Sequence, residues 1–165
     1  MTSIAATPPG PEPAPAKATR RELRFESLAD ILADAEAMAE AHVTTLGGWT
    51  AAQNLDHVRR LIHISHAGAD VTLPWFLRLF ARMMKGRLLR SGMRPGLKTV
   101  AYFQPPDDIT VEDALAAFRQ EVNAASQPGA MRQPSPLLGK LSHAEWEQLH
   151  CRHAELHFGY VVRAS

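Results

Sequence analysis

The sequence predicts an all-α protein, a four-helix bundle with an extra short amphipathic helix and long loops. Three observations carry this prediction. Apolar residues recur at three- and four-residue spacing in several segments, capping signals precede those segments, and no stretch alternates in the manner of a strand. The 165 residues suffice for one domain with a buried core, and a composition of 45% apolar and 21% charged residues is typical of a globular protein.

The first 22 residues are predicted to form a disordered tail, so that the bundle domain spans residues 23–165. The tail contains five closely spaced prolines: Pro8, Pro9, Pro11, Pro13 and Pro15. Proline lacks a backbone N–H and interrupts both helices and sheet ladders, so this density disfavours regular structure.

The first two main helices are marked by capping residues. Ser27 with Asp30 begins a segment in which apolar residues of 28–39 form one stripe. Thr50 with Gln53 three residues later forms a capping-box pattern, which predicts the start of the second helix.

The extra amphipathic helix is predicted over residues 74–90. Seven basic residues and no acidic one lie between positions 71 and 100, namely Arg78, Arg82, Lys85, Arg87, Arg90, Arg94 and Lys98. The favoured interpretation is that the apolar side packs on the bundle while the charges are solvated or face acidic residues of the first helix, such as Asp34 and Glu40. The alternative is a cationic helix that binds a membrane surface or a polyanion.

The remaining two main helices are also preceded by capping signals. Thr110 with Asp113 begins the third, and Ser142 with Glu145 forms a capping box at the start of the last. Between them, residues 126–140 are rich in proline and glycine and predict a long loop. Long loops inside compact domains often serve as lids or pocket walls.

The last helix carries polar rings on the face that a bundle needs to be apolar. The residues at alternating three- and four-residue steps are His143, Trp146, His150, His153, His157 and Tyr160. Buried polar groups cost free energy unless they are hydrogen-bonded or ligated. His153 and His157, at positions i and i+4, project from one face with Cβ atoms about 5–6 Å apart, so both imidazoles can reach one metal ion.

A third ligand must come from a facing helix, since bundles build metal sites in this way. The second helix offers His57, His63 and His66. His57 lies in the first two turns, on one stripe with Asn54 at the edge of the apolar face, whereas the other two are expected to be partly exposed to solvent. The predicted metal ligands are therefore His57, His153 and His157.

Two segments resemble a known family. Residues 48–58, GWTAAQNLDHV, are similar to the W-T-x-x-Q-x-x-x-H start of the second helix in the DinB-like (YfiT-like) superfamily, and residues 146–157 are similar to its H-x-x-x-H final helix. The resemblance is closest to a domain-of-unknown-function branch and covers nearly everything after the tail. It implies a four-helix bundle with a three-histidine metal site, here His57, His153 and His157.

His150 has no place in that histidine triad. It is predicted to support the ligands or to line the pocket, together with four further residues of the two motifs and their flanks: Asn54, Trp49, Tyr160 and Trp146. No residue is assigned a catalytic role by the sequence.

The resemblance implies a divalent-metal-dependent enzyme that transfers or hydrolyses through a metal-activated thiol or water. Three imidazoles leave a coordination position open, and zinc, nickel or iron all suit them. The expected partner is a small-molecule substrate, and a low-molecular-weight thiol is one candidate because characterised members of the superfamily act with such thiols. The alternatives are a non-catalytic metal-binding or stress-response module and a cationic surface-binding module.

Composition limits the other partners. The formal net charge of +1 provides no general attraction to nucleic acid, so none is expected to bind. The single cysteine, Cys151, excludes an intramolecular disulfide and is predicted to be an inert buried thiol. No apolar run approaches the about 20 residues that span a bilayer. We expect a cytoplasmic protein without a transmembrane segment, and a homodimer stays open as an alternative to a monomer.

Overall fold

A computed structural model describes residues 19–96 and 100–164. The predicted all-α class is confirmed. The capping boxes expected at the second and the last main helix are present, and Ser27 and Asp30 form a further one at the first helix, where an N-cap was expected. The elements in chain order are α1 (Leu28–Glu40), β1 (Val43–Thr45), α2 (Ala51–Ala67), α3 (Trp75–Met83), α4 (Lys85–Ser91), a 3-10 helix (Ala101–Phe103), α5 (Val111–Ala125), α6 (His143–Phe158) and β2 (Val161–Arg163).

The four long helices form a closed ring around the core. Helices α1 and α2 each pack against both α5 and α6, so α1 and α2 occupy diagonal corners of the bundle. The centre is filled by large apolar side chains from every corner that are fully buried, including Ile31, Leu55, Ile62, Phe118, Trp146 and Phe158. Burial of these stripes drives the helices together, because each helix alone would leave an apolar face in water.

A two-stranded antiparallel sheet joins the start of α2 to the end of α6. Val43 pairs with Arg163 and Thr45 with Val161. The expectation that the chain holds no strand was wrong at this point, because three residues are too few to show alternation and the partner strand lies at the opposite end of the chain. The sheet keeps the two histidine-bearing helices in fixed register.

The predicted tail divides into two parts. Residues 1–18 lie outside the described residues. Arg20, in contrast, donates hydrogen bonds to the Glu155 and Leu156 carbonyls at 3.0 and 2.7 Å. Arg21 forms an ion pair with Asp34 at 2.7 Å. The chain is therefore attached to the bundle already before residue 23, the predicted start of the domain.

The amphipathic segment does not pack as predicted. Its polypeptide forms α3 and α4 with a break at Met84, and α4 rather than α3 packs against α6. Ala81 is the one buried residue of α3, whereas its large apolar side chains are exposed to solvent. Asp34, an expected partner of the basic residues, is instead paired with Arg21. Within residues 19–96 and 100–164, no helix is long and apolar enough to cross a membrane.

Replacing Ser142, the N-cap of α6, tests how much the helix that carries two of the three candidate ligands depends on its start. The Ser142 hydroxyl accepts a hydrogen bond from the Glu145 amide at 3.2 Å, and the Glu145 carboxylate accepts one from the Ser142 amide at 2.9 Å. Ser142→Ala should lower the free energy of unfolding by about 1 kcal/mol in chemical denaturation. Ser126→Ala, at an exposed residue after α5, is the control and should change it little; equal losses in both variants would contradict this account.

Candidate metal centre

The structure brings His57, His153 and His157 together at the junction of α2 and α6. The Nε2 atoms of His57 and His153 are 3.1 Å apart. The ring centroids are separated by 4.9 Å for His57 and His153, 4.2 Å for His57 and His157, and 4.7 Å for His153 and His157. One ring nitrogen from each residue lies within 4.8 Å of the others, so the three can face one common point.

The orientation of His57 is fixed by a backbone carbonyl. Its Nδ1 lies 2.7 Å from the Phe103 oxygen. A carbonyl can only accept, so Nδ1 carries the proton and the lone pair of Nε2 is directed toward His153. This is the usual arrangement for a metal-binding histidine, in which the second nitrogen donates to an oxygen and thereby fixes the tautomer.

A short network of charges holds that carbonyl in place. Asp56 is buried and accepts hydrogen bonds from Arg59 and Arg60, each with one contact at 2.6 Å. Arg60 also donates to the Tyr102 carbonyl at 2.9 Å. The residue after Tyr102 is the one whose carbonyl binds His57. Sequence reasoning missed this support, since a backbone acceptor in a connecting segment leaves no side-chain signal.

Trp49 forms an aromatic wall over the histidines. Its ring lies 4.7 Å from that of His57 and 5.8 Å from that of His157, centroid to centroid, and is nearly parallel to the latter. Asn54 is buried and donates to the Thr50 carbonyl at 2.9 Å and to the Trp49 carbonyl at 3.4 Å. Asn54 therefore fixes the backbone from which the Trp49 side chain extends.

The histidines form part of the wall of a cavity of about 1250 Å³. Trp49, Asn54 and Tyr160, three of the predicted supporting residues, also line it. The opposite wall comes from α3, α4 and the long loop after α5, whose residues 135–138 lie in the lining. Most of the lining is apolar, and no carboxylate belongs to it within the described residues. The long loop after α5 therefore contributes to the wall of this cavity.

All three imidazoles are held in the neutral form. Burial lowers the pKa of His157 to about 3, with smaller effects from His57 and Arg20. Burial also lowers the pKa of His153 well below its ordinary value, and the neighbouring rings lower it further. For His57, burial lowers the pKa and the Phe103 carbonyl partly opposes that shift. Neutral imidazole is the form that binds a metal.

The donor set fits a divalent ion. A tetrahedral ion with about 2.0–2.1 Å bonds to nitrogen separates its ligand atoms by roughly 3.3 Å, close to the 3.1 Å between His57 and His153. The buried Nδ1 of His153 has no hydrogen-bond partner among the described residues. Two buried rings and one partly buried ring share a single carbonyl partner. Hydrogen bonds alone satisfy them poorly, and ligation would compensate their burial.

Two of the predicted supporting residues lie in the core and do not line the cavity. His150 stacks on Trp146 with ring centroids 5.2 Å apart, one turn along α6 from His153. Trp146 is satisfied, because its Nε1 donates to the Gln133 carbonyl at 3.0 Å. Neither ring nitrogen of His150 has a partner in the part of the chain that the structure describes.

A second cluster joins α2 to α5. Glu121 accepts from His66 at 2.6 Å and from His63 at 3.0 Å, and both histidines are partly exposed, as predicted. The Arg59 guanidinium lies 3.6 Å from the same carboxylate. The positive charge of Arg59 at this distance disfavours a metal ion, because it already neutralises the Glu121 carboxylate. The cluster instead links α2 to α5 by hydrogen bonds.

Cys151 lies away from the histidines. It is buried, and burial raises the pKa of its thiol to about 12, with nearby acidic residues such as Glu147 adding to the shift. A thiol with so high a pKa carries almost no thiolate at neutral pH. This agrees with the prediction of an inert thiol.

The family described as "Protein of unknown function (DUF1569)" matches residues 17–164. The chain is thus a member of a family of helical domains, and it belongs to DUF1569. No curated protein and no solved structure matches the chain.

His150 should make the fold sensitive to acid. Burial lowers its pKa from 6.5 to about 3, so the folded state binds fewer protons than the unfolded state over that interval. The resulting stability is present above pH 6.5 and is lost as the pH falls toward 3. His150→Phe keeps the stacking on Trp146 and should reduce the slope of the unfolding free energy below pH 6.5 by up to about 1.4 kcal/mol per pH unit.

Chemical denaturation at several pH values measures this slope. His143→Gln, on the exposed first turn of α6, is the control for the loss of a histidine from the same helix. A His150→Phe slope equal to that of the parent protein would show that His150 is not the neutral buried group described above.

Proposed function

We propose that this chain is a divalent-metal-dependent enzyme of the DinB-like type, which transfers or hydrolyses through a metal-activated thiol or water. The ligands are His57, His153 and His157. The convergence of the three neutral imidazoles, with Nε2 atoms of two different helices 3.1 Å apart, is the observation that carries the proposal. Zinc, nickel and iron all suit an imidazole donor set.

The DinB-like relationship is supported by where the two motifs lie in the fold. The W-T-x-x-Q-x-x-x-H motif covers the capping box of α2, so that Gln53 caps the helix and His57 follows one turn later. The H-x-x-x-H motif lies in the last two turns of α6. The helix order and the ligand distribution, one histidine on the second bundle helix and two on the last, therefore agree with that superfamily.

The cavity favours an enzyme over a non-catalytic metal-binding module. A structural metal site is closed by its protein ligands, whereas a catalytic site keeps a position open to substrate. Here the three imidazoles are part of the wall of a space of about 1250 Å³, larger than a small-molecule pocket requires. A substrate can therefore reach the point on which the histidines converge.

The lining indicates the kind of substrate. It is mostly apolar, and its charged side chains are Arg87 and Arg94, with no carboxylate in the described part of the wall. We infer a small molecule with an apolar body and an anionic group, a description that includes an acidic low-molecular-weight thiol. The arginines would bind the anionic group and the apolar walls would exclude water from the reacting atoms.

Each group at the site has a distinct proposed role. A divalent ion held by the histidines would supply a Lewis acid that lowers the pKa of a bound water or thiol toward neutrality. The Phe103 carbonyl holds the Nδ1 proton of His57, and Trp49 covers two of the three rings. Because the described lining holds no carboxylate, no side chain is assigned as a general base.

Metal-dependent turnover tests the proposal. Untagged protein should contain close to one divalent ion per chain and should convert a panel of esters, or of low-molecular-weight thiols paired with electrophilic acceptors. His153→Ala and His157→Ala should each lose the ion and lower the rate by about 100-fold or more, since both remove a ligand. Metal content by mass spectrometry and turnover are measured on the same preparations.

The matched control removes histidines from the second cluster. His63→Ala and His66→Ala lie on the same helix as His57, and they should leave both metal content and turnover unchanged. Retention of metal in the His153→Ala/His157→Ala double variant would contradict the ligand assignment. Metal bound by the triad without turnover on any member of the panel would favour the non-catalytic module.

A further inference from the structure

Helix α3 exposes a continuous apolar stripe. Its members lie on one side of the helix and have exposed fractions between 54% and 77%: Trp75, Phe76, Leu79, Phe80 and Met83. Single exposed apolar residues are ordinary on a protein surface. A contiguous set of three aromatic and two long apolar side chains instead indicates a surface that binds another protein, a membrane or a ligand.

The stripe is flanked by positive charge. Arg78 and Arg82 border it on α3, and Arg87, Arg90 and Arg94 follow in and after α4. All five are exposed, and none takes part in a salt bridge within the described residues. No acidic residue occurs from position 71 to 100. The surface therefore combines apolar rings with uncompensated arginines.

The contacts of the segment show how this surface is held. Helix α4 packs against α6 and buries Leu89, and Lys85 pairs with Glu145 at 2.6 Å. Helix α3 extends beyond this attachment, with Ala81 as its one buried residue. The stripe is thus presented outward by a helix whose neighbour is firmly anchored, and it does not serve the core.

We propose that α3 docks on an anionic lipid bilayer, with its axis in the membrane plane and its apolar stripe at the boundary between headgroups and acyl chains. A helix with aromatic and aliphatic side chains on one face and arginines beside them matches the known pattern of interfacial helices. Tryptophan is favoured at that depth, and arginine side chains reach back to lipid phosphates.

The positive charge of this surface favours an anionic bilayer over a second copy of the chain as the binding partner. Pairing two stripes in a symmetric dimer would bring five unpaired arginines of each subunit close to those of its partner, and like charges would oppose the association. An anionic surface binds the same arginines favourably. Phe80, Arg87 and Arg94 also line the cavity, so part of this surface borders the metal site. Docking is assigned to the residues that do not line it, namely Trp75, Leu79, Met83, Arg78 and Arg90.

Vesicle co-sedimentation with the full chain tests the proposal. Vesicles of phosphatidylglycerol and phosphatidylcholine should bind the protein, vesicles of phosphatidylcholine alone should bind it much more weakly, and added salt should reduce the binding. Trp75 is the most exposed of the three tryptophans, so its fluorescence should shift to the blue on binding.

Two sets of variants separate the apolar and the charged contributions. Trp75→Ser/Leu79→Ser/Met83→Ser should lower the partition coefficient at least tenfold, and Arg78→Gln/Arg90→Gln should lower it about 25-fold, or about fivefold for each arginine. Leu46→Ser and Arg132→Gln are the matched controls, since both residues are exposed and distant in sequence from α3. The exposed positions of all these side chains predict unchanged thermal unfolding.

The outcomes are distinct from those of the metal proposal. His153→Ala should bind vesicles as the parent does, whether or not it retains metal. The docking proposal is overturned if the parent fails to bind anionic vesicles, or if the stripe variant binds them equally well. It is also overturned if light scattering shows a dimer that the stripe variant converts to a monomer while vesicle binding is absent, which would assign the stripe to a second copy of the chain.

Discussion

Two buried imidazoles and one partly buried imidazole pack against one another, and this contact constrains the architecture around them. Neutral rings with lowered pKa values offer lone pairs, yet His57 alone has a carbonyl to receive its proton. Burying such a group of polar rings costs free energy unless a bound ligand, such as a metal ion, accepts their lone pairs. The capping boxes of α2 and α6 and the small sheet at their ends all act on the two helices that carry these rings, and so fix their separation.

Support for the site extends into segments that have no regular pattern. Asp56 holds Arg60, Arg60 holds the Tyr102 carbonyl, and the next carbonyl along the chain orients His57. The buried ion pairs of Asp56 position Arg60 and the connecting segment, and they add little to the free energy of unfolding, because a buried ion pair contributes little net free energy. A connection between α4 and α5 thereby becomes part of the site, which explains why a chain with ordinary helices carries a buried aspartate on α2.

The helices and the grouping of the histidines could be predicted, because capping pairs and helical spacing are local. Ser142 with Glu145 and Thr50 with Gln53 set the helix starts, and the i, i+4 spacing of His153 and His157 set their common direction. The Phe103 carbonyl, the pairing of Val43 with Arg163 and the exposure of α3 could not, since each depends on which distant segment reaches a given place. His150 was expected near the pocket, and packing against Trp146 directed it into the core.

Anomalous diffraction from crystals of the zinc-loaded protein tests the three-histidine metal site, because it locates the ion among all candidate ligands at once. One strong peak is expected, with nitrogen atoms of His57, His153 and His157 at about 2.0–2.1 Å. A peak between His63, His66 and Glu121 with none at the triad, or no peak at either place, would contradict it. The three rings would then be a buried cluster without a metal, and the function would have to lie elsewhere on the molecule.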